Sequence, residues 1–318
     1  MSTVRGRHLV IVGPTASGKS ELAIAVAHRL VRRRRNQVPP ATELLSADSM
    51  AVYRGMDIGT ATPTPDQRAR ARHHLVDLVD PHEEFSVARY RRDAVEVLDG
   101  LERRGATGIV VGGTGLYVQA VVDDLDLPGR YPDVFTELEL EPDTAALHRR
   151  LVALDATAAG RIDPANRRRT LRALEVTLGS GRRFSDHGPG LTSHPPTPFL
   201  LVGVRPPRDQ LEPRIRARLR EQLARGWVDE VERLRSRPQG WSRTASRALG
   251  YPELSAHLDG TLTLTEATEA IVVRTRQFAV RQLRWFGRDP RITWFDAGPS
   301  SDELAERVVA HWDDSTGT

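Results

Sequence analysis

The chain has 318 residues, of which 39% are hydrophobic and 28% charged, proportions that suit a globular enzyme with room for one large domain or two smaller ones. It contains no cysteine, which excludes disulfides, thiolate metal sites and cysteine nucleophiles. No apolar run reaches the roughly 18 residues that span a bilayer, and Met1 to Arg7 carry no secretory h-region, so a cytoplasmic protein without a membrane partner is expected.

The net charge is +4, yet lysine and arginine together number 46 and a single one of them, Lys19, is a lysine. Arginine usage this uniform, broken once, points to a crowded phosphate site. The compact point charge of an ammonium suits such a site better than a broad planar guanidinium.

In chain order, His8 to Val12 is a β-branched apolar run that reads as a buried parallel strand. It leads into Gly13 to Ser20, after which Glu21 to Leu30 is an amphipathic helix. Arg32 to Arg35, followed by Pro39 and Pro40, reads as a solvated helix end and a break. Glu43 to Ala47 is a second strand, ending at Asp48. His74 to Val79 is a short strand, Arg89 to Arg103 a helix, and Gly108 to Val111 a buried strand ending in Gly112-Gly113-Thr114. This alternation predicts an α/β fold, a P-loop-type parallel sheet flanked by helices.

From Asp123 to about Pro198 strand signals nearly vanish, with helical periodicity over Ala145–Leu154 and Arg168–Leu178. Residues 121–190 are therefore expected to form a helical insertion domain within a core of residues 1–120 and 191–318. Phe199 to Val204 restores a core strand, and from Arg208 the chain reads as helical almost to its end, with breaks near Pro238, Gly250 and Pro290.

Gly13, Gly18, Lys19 and Ser20 fit G-x-x-x-x-G-K-[ST] directly after a strand and at the start of a helix. A loop of Gly13, Pro14, Thr15, Ala16, Ser17 and Gly18 turns backbone amides onto a phosphate, aided by the helix dipole. Lys19 would neutralise that phosphate and the Ser20 hydroxyl would ligate Mg²⁺. An ordinary ATPase or GTPase shows a later apolar strand ending in an acid; Gly108–Val111 ends without one. The acid at a strand end is Asp48. Strand carboxyl ends face the ligand crevice in open α/β sheets, so Asp48 and Thr114 are expected beside the loop. Taken alone, Asp48 also reads as a helix N-cap.

The strings GPTASGKS (13–20), ADSMAVYRGMDIGTATP (47–63), VGGTGLY (111–117), RALEV (172–176) and RTRQFAVRQLRWF (274–286) together resemble the tRNA dimethylallyltransferase family, also called tRNA isopentenyltransferases. The resemblance implies transfer of a dimethylallyl group from dimethylallyl diphosphate to N6 of adenosine 37, next to the anticodon. The P-loop would then hold the departing diphosphate, with Mg²⁺ as the cofactor. It makes Asp48 the general base and Thr114 the active-site threonine of the GGT motif. Arg208, Arg214 and Arg218 match RxxLxxRIxxR, with Arg218 near diphosphate. Asp48, Ser49, Met50 and Ala51 would meet the tRNA. Where Ala51 stands the family often has glutamine, so one base contact is missing or supplied elsewhere. The implied partners are the anticodon stem-loop of tRNA and dimethylallyl diphosphate, with the protein a monomer.

Arg274, Gln277, Arg281, Arg284 and Arg288 fall on one side of a helix with Phe278 and Trp285 at the edge. Val272, Ala279, Leu283 and Phe286 form its apolar face. Arginine beside aromatics suits an RNA backbone with unstacked bases, while periodicity alone fits a solvated helix with snorkelling arginines. The resemblance makes Arg274, Gln277, Arg281 and Arg284 tRNA contacts, and likewise Arg168, Arg169 and Arg172 in the cluster that begins at Arg167. His73 and His74 with Asp77 and Asp80 fit no standard metal-ligand spacing. A P-loop kinase for a small metabolite, with Arg167–Arg172 as its lid, is the rival reading. An adenylate isopentenyltransferase acting on AMP has no need of the insertion or the long basic C-terminal half. A pure RNA-binding protein leaves the P-loop and Asp48 unexplained.

Overall fold

Leu9–Val12 (β1) is four consecutive buried aliphatic residues, the pattern of a strand covered on both faces. The computed structural model describes residues 8–33, 42–188, 190–298 and 300–316; of the break expected over Arg32–Arg35 with Pro39 and Pro40, all but Arg32 and Arg33 lies outside them, as does the N-terminal segment Met1 to Arg7. In chain order β1 is followed by Lys19–Arg33 (α1), Thr42–Ala47 (β2), Pro65–Arg70 (α2), His73–His74 (β3), Val87–Arg103 (α3), Thr107–Gly112 (β4) and Gly115–Val122 (α4). Next come Pro132–Glu139 (α5), Thr144–Leu154 (α6), Ala156–Gly160 (α7) and Arg167–Ser180 (α8). The chain then forms Leu200–Arg205 (β5), Arg208–Ala224 (α9), Trp227–Arg235 (α10), Tyr251–Leu258 (α11), Leu264–Phe286 (α12), Thr293–Asp296 (β6) and Ser301–Thr316 (α13).

Among the described residues the strands form one six-stranded parallel sheet in the order β3-β2-β4-β1-β5-β6, the α/β fold expected. Side-chain alternation along β1 divides the core. Leu9 and Ile11 join Leu22, Val26, Val308 and Trp312 on the face covered by α1 and α13. Val10 and Val12 join Tyr90, Leu98, Val118, Ile215, Val272 and Phe286 on the other face.

The register determines where the chemistry sits. Val12 pairs with Gly112, and Gly112 with Ala47, so three strands end in line. The loops that begin at Gly13, Asp48 and Gly113 leave the sheet side by side at its carboxyl edge.

Two expectations are corrected. The C-terminal half is not helical throughout, because Thr293–Asp296 pairs with β5. Four residues with one buried among them are too few to give a period-2 signal. The strand expected over His74–Val79 stops at His74. Leu75 and Asp77 take left-handed φ values of 63° and 55°, which turn the chain out of the sheet, and Val79 makes only an isolated bridge to Tyr53.

The chain divides into two compact units, one of Met1–Val122 with Pro196–Thr318 and one of Asp123–Pro195. The second has its own core of Leu138, Leu147, Leu151, Leu171 and Leu174. Asp143 and Asp155 cap α6 and α7 there, each accepting from a backbone amide of the following turn.

Candidate active site

The loop after β1 owes its path to two backbone requirements. A Cβ on Gly13 would lie 2.4 Å from the Val204 carbonyl oxygen, so only glycine lets the loop leave the sheet there. Ala16 and Gly18 have φ values of 61° and 84°, and Ser17 closes the turn with its amide 3.3 Å from the Pro14 carbonyl. Lys19 opens α1 and folds back to donate its Nζ to the Pro14 carbonyl at 3.2 Å. Burial, together with the nearby Arg218 guanidinium and against the opposing Asp48 carboxylate, pushes the Lys19 ammonium down to a pKa of about 8.

Arg218 reaches the same loop from α9, donating Nη1 to Thr15 Oγ1 at 3.3 Å. Its pKa is also lowered by burial, against Asp48 and Glu221. Two cations held this close while losing water have a strong electrostatic demand for an anion.

At the end of β2, Asp48 accepts the Met50 amide at 2.8 Å through Oδ1, a local turn that fixes the carboxylate. Thr114 ties the neighbouring strand end to it. Its amide donates to the Ala47 carbonyl at 3.1 Å, and its Oγ1 accepts from the Ser49 amide at 3.0 Å. The Thr114 carbonyl then accepts the first amides of α4, from Tyr117 and Val118. Tyr117 stacks on Tyr90 with ring centres 4.1 Å apart and planes 19° from parallel. Burial, the other tyrosines and the Asp48 charge raise the pKa of both hydroxyls, so Asp48 has neutral aromatic neighbours.

Two buried polar residues outside the sequence expectations hold loops in place, the first of them at this site. Gln282 of α12 is 7% exposed; its Oε1 accepts the Thr15 amide at 2.8 Å and its Nε2 donates to the Gly113 carbonyl at 2.9 Å. The available signal was a polar residue on the apolar face between Ala279 and Phe286. The second is Glu230, 1% exposed. Its carboxylate accepts the amides of Asp57, Ile58 and Gly59 at 2.9, 2.8 and 3.2 Å and the Tyr251 hydroxyl at 2.8 Å. Gln222 holds the Ile58 and Gly59 carbonyls at 2.6 and 3.0 Å. This clamp gives the Asp-Ile-Gly run of residues 57–59 its fixed shape. Glu230→Ala orphans four donors, and a loss of about 3 kcal/mol or more is expected. Urea unfolding checks this: the midpoint falls at constant m, whereas an unmoved midpoint would remove Glu230 from the account.

The IPP transferase family matches residues 51–289. The tRNA dimethylallyltransferase of Kineococcus radiotolerans is 45% identical over 95% of each chain, and that of Streptomyces coelicolor is 44% identical over 92% of this chain and 91% of its own. The chain belongs to the tRNA dimethylallyltransferase family. The crystal structure of the Bacillus halodurans tRNA isopentenylpyrophosphate transferase is 34% identical with a TM-score of 0.69, covering 98% of this chain and 99% of that one. A eukaryotic dimethylallyltransferase, 24% identical, shares the fold with a TM-score of 0.80 over 98% of this chain and 80% of its own.

In this dimethylallyltransferase family member the residues expected to meet tRNA fall into two physical classes. Gln277, Arg281 and Arg284 are exposed on α12, with the Arg281 guanidinium 5.8 Å from the Phe278 ring centre. Arg168 and Arg169 are exposed on α8. The other arginines are engaged within the fold. Arg274 pairs with Glu253, a buried acid that also accepts the Gly250 amide at 3.1 Å. Arg172 pairs with buried Glu175 at 2.9 Å and donates to the Pro128 and Gly129 carbonyls at 2.7 and 3.0 Å. Arg167 binds the carbonyls of Glu139, the last residue of α5, and of Glu141 and Pro142 just beyond it.

Ser49 and Met50 are half-buried beside Asp48. Ala51 is 3% exposed and carries only a methyl group. The His73–Asp80 group is dispersed: His74 pairs with Glu43 at 2.6 Å, Asp77 with Arg68 at 2.6 Å and Asp80 with Arg54 at 3.5 Å. Among the described residues no helix is long and apolar enough to cross a membrane.

Proposed function

We propose that the chain transfers the dimethylallyl group of dimethylallyl diphosphate to N6 of adenosine 37 in tRNA. The observation that carries this reading is the alignment of the Gly13, Asp48 and Gly113 loops at three adjacent strand ends, with Lys19 in the first and no acid at the end of β4. Such a site is built to hold and release a diphosphate and to take a proton from a nucleophile. It lacks the acid that an ordinary ATPase carries at that strand end.

The carbon–oxygen bond to diphosphate breaks as N6 bonds to the allylic carbon, and the displaced N6 proton passes to Asp48. Charge grows on the leaving diphosphate, where Lys19, Arg218 and the amides at the start of α1 stabilise it. Thr114 keeps Asp48 and its loop in place through Ser49. The Ser20 hydroxyl, exposed at the first turn of α1, is a hard oxygen donor of the kind Mg²⁺ takes alongside diphosphate oxygens. When bound there, Mg²⁺ supplies charge neutralisation on the leaving group. Reaching N6 requires the base to leave its stack, with Gln277, Arg281 and Arg284 on α12 and Arg168 and Arg169 on α8 holding the RNA. Residues 121–190 are read as the insertion domain that contacts tRNA, and the working form as a cytoplasmic monomer.

Incubation with labelled dimethylallyl diphosphate and either an unmodified anticodon stem-loop or AMP tests the assignment. Label is expected in isopentenyladenosine of the RNA alone. Prenylated AMP, or rapid transfer of the ATP γ-phosphate to a small acceptor with the RNA unmodified, would replace it with one of the two rivals. Replacing Arg281 and Arg284 together by alanine is expected to weaken RNA binding and reduce the slope of log affinity against log salt by about 1 to 2, leaving the KM for dimethylallyl diphosphate unchanged. Equal loss of both affinities would make the helix structural.

A further inference from the structure

We infer that Gln282 is a positioning residue for the diphosphate cradle: one buried side-chain amide sets the spacing between the phosphate loop and the GGT loop, joining both to α12. The inference deepens the reading above and rests on it.

A primary amide has one acceptor and one donor end, and here each is matched to a backbone group of a different loop. Oε1 takes the Thr15 amide at 2.8 Å and Nε2 gives to the Gly113 carbonyl at 2.9 Å. The fit is close, since a Cβ on Gly113 would lie 2.2 Å from Nε2. Thr15 is therefore fixed twice, by Gln282 at its amide and by Arg218 at its hydroxyl. Its amide is spent on α12 and not on phosphate. The anion is left to the amides of the first turn of α1, at Gly18, Lys19 and Ser20, which have no carbonyl four residues back within the helix. Trp285 adds a second contact one turn on: a Cβ on Gly115 would lie 2.3 Å from its ring, so α12 is seated against both sides of Thr114.

Arg281 and Arg284 are exposed on the same turn of α12, while Gln282 points inward. A displacement of this helix is thus transmitted through a rigid amide to the two loops that frame the leaving group. Leucine at 282 keeps the volume roughly and removes both hydrogen bonds. Glutamate keeps the acceptor for Thr15 but sets a carboxylate against the Gly113 carbonyl. Protonated, it becomes a near copy of the amide, with an O–H that donates to Gly113. Burial raises the pKa of such an acid, which brings its protonation into the working range.

The test uses the full-length enzyme with dimethylallyl diphosphate and an anticodon stem-loop. Prenylation by the wild type tests the function itself, separately from the role of Gln282. Given an active wild type, Gln282→Leu is expected to raise the KM for dimethylallyl diphosphate and lower kcat, together costing on the order of 10²-fold in kcat/KM, with stem-loop affinity changed less than about threefold. Gln282→Glu is expected to regain activity relative to wild type as the pH falls from about 8 to about 6. A Gln282→Leu enzyme with wild-type kcat and KM overturns the inference. So does a Gln282→Glu to wild-type activity ratio that stays flat with pH, because a general packing defect has no reason to be mended by one proton.

Discussion

Replacing Lys19 by methionine is expected to cripple prenyl transfer while leaving the apoenzyme at least as stable as before. The ammonium is held at the Pro14 carbonyl beside Arg218, and its pKa is depressed to about 8. The folded state therefore carries a strained charge that the unfolded chain does not. Between about 8 and the ordinary lysine value the unfolded chain binds more protons, so this group's contribution to stability rises with pH through that window. Removing the charge relieves the cost and also removes the cation proposed to meet the leaving diphosphate, for an expected loss on the order of 10²- to 10³-fold or more in kcat/KM. The same shift gives a pH signature. The free enzyme loses its ammonium as the pH rises through about 8, so kcat/KM for dimethylallyl diphosphate falls on that limb. Bound diphosphate favours the charged form and moves the limb of kcat to higher pH. Thermal unfolding and a pH–rate profile check both halves; a methionine variant with wild-type turnover would remove Lys19 from the chemistry.

The parts of this site legible in the sequence are those built within a few residues. The glycine spacing of the phosphate loop is local geometry, and Asp48 and Thr114 were visible because each follows a buried strand whose end faces the crevice. Gln282 and Glu230 were not, because their partners lie 169 residues away at Gly113 and 173 away at Asp57. Helical periodicity places a residue on a face without naming what meets it. For the same reason Arg172 and Arg274 looked like Arg169 and Arg281. What separates them is a buried acid beside each of the first pair, Glu175 and Glu253, and an acid's burial depends on packing that no local pattern reports. The sheet itself was legible where strands are apolar on both faces. It was missed at β6, an edge strand of four residues, and overextended past β3, where left-handed residues end the pairing.

Asp48→Asn separates the structural contact of this carboxylate from the base role proposed for it. Asparagine keeps Oδ1, so the Met50 amide at 2.8 Å retains its acceptor and the loop should hold its shape. What is lost is basicity and charge. Without a base for the N6 proton, kcat is expected to fall on the order of 10²-fold or more. The charge has a second effect, because Asp48 opposes the depression of both Lys19 and Arg218. With it gone, the Lys19 ammonium titrates below about 8, and the alkaline limb of kcat/KM moves to lower pH in the variant. A local cap with no part in the proton transfer would move that limb and leave the rate on the plateau where it is. A base acting alone would lower the rate without moving the limb. The combination of a slower step and a shifted limb is therefore the signature of a carboxylate that takes the proton and also keeps the cation beside the leaving group charged.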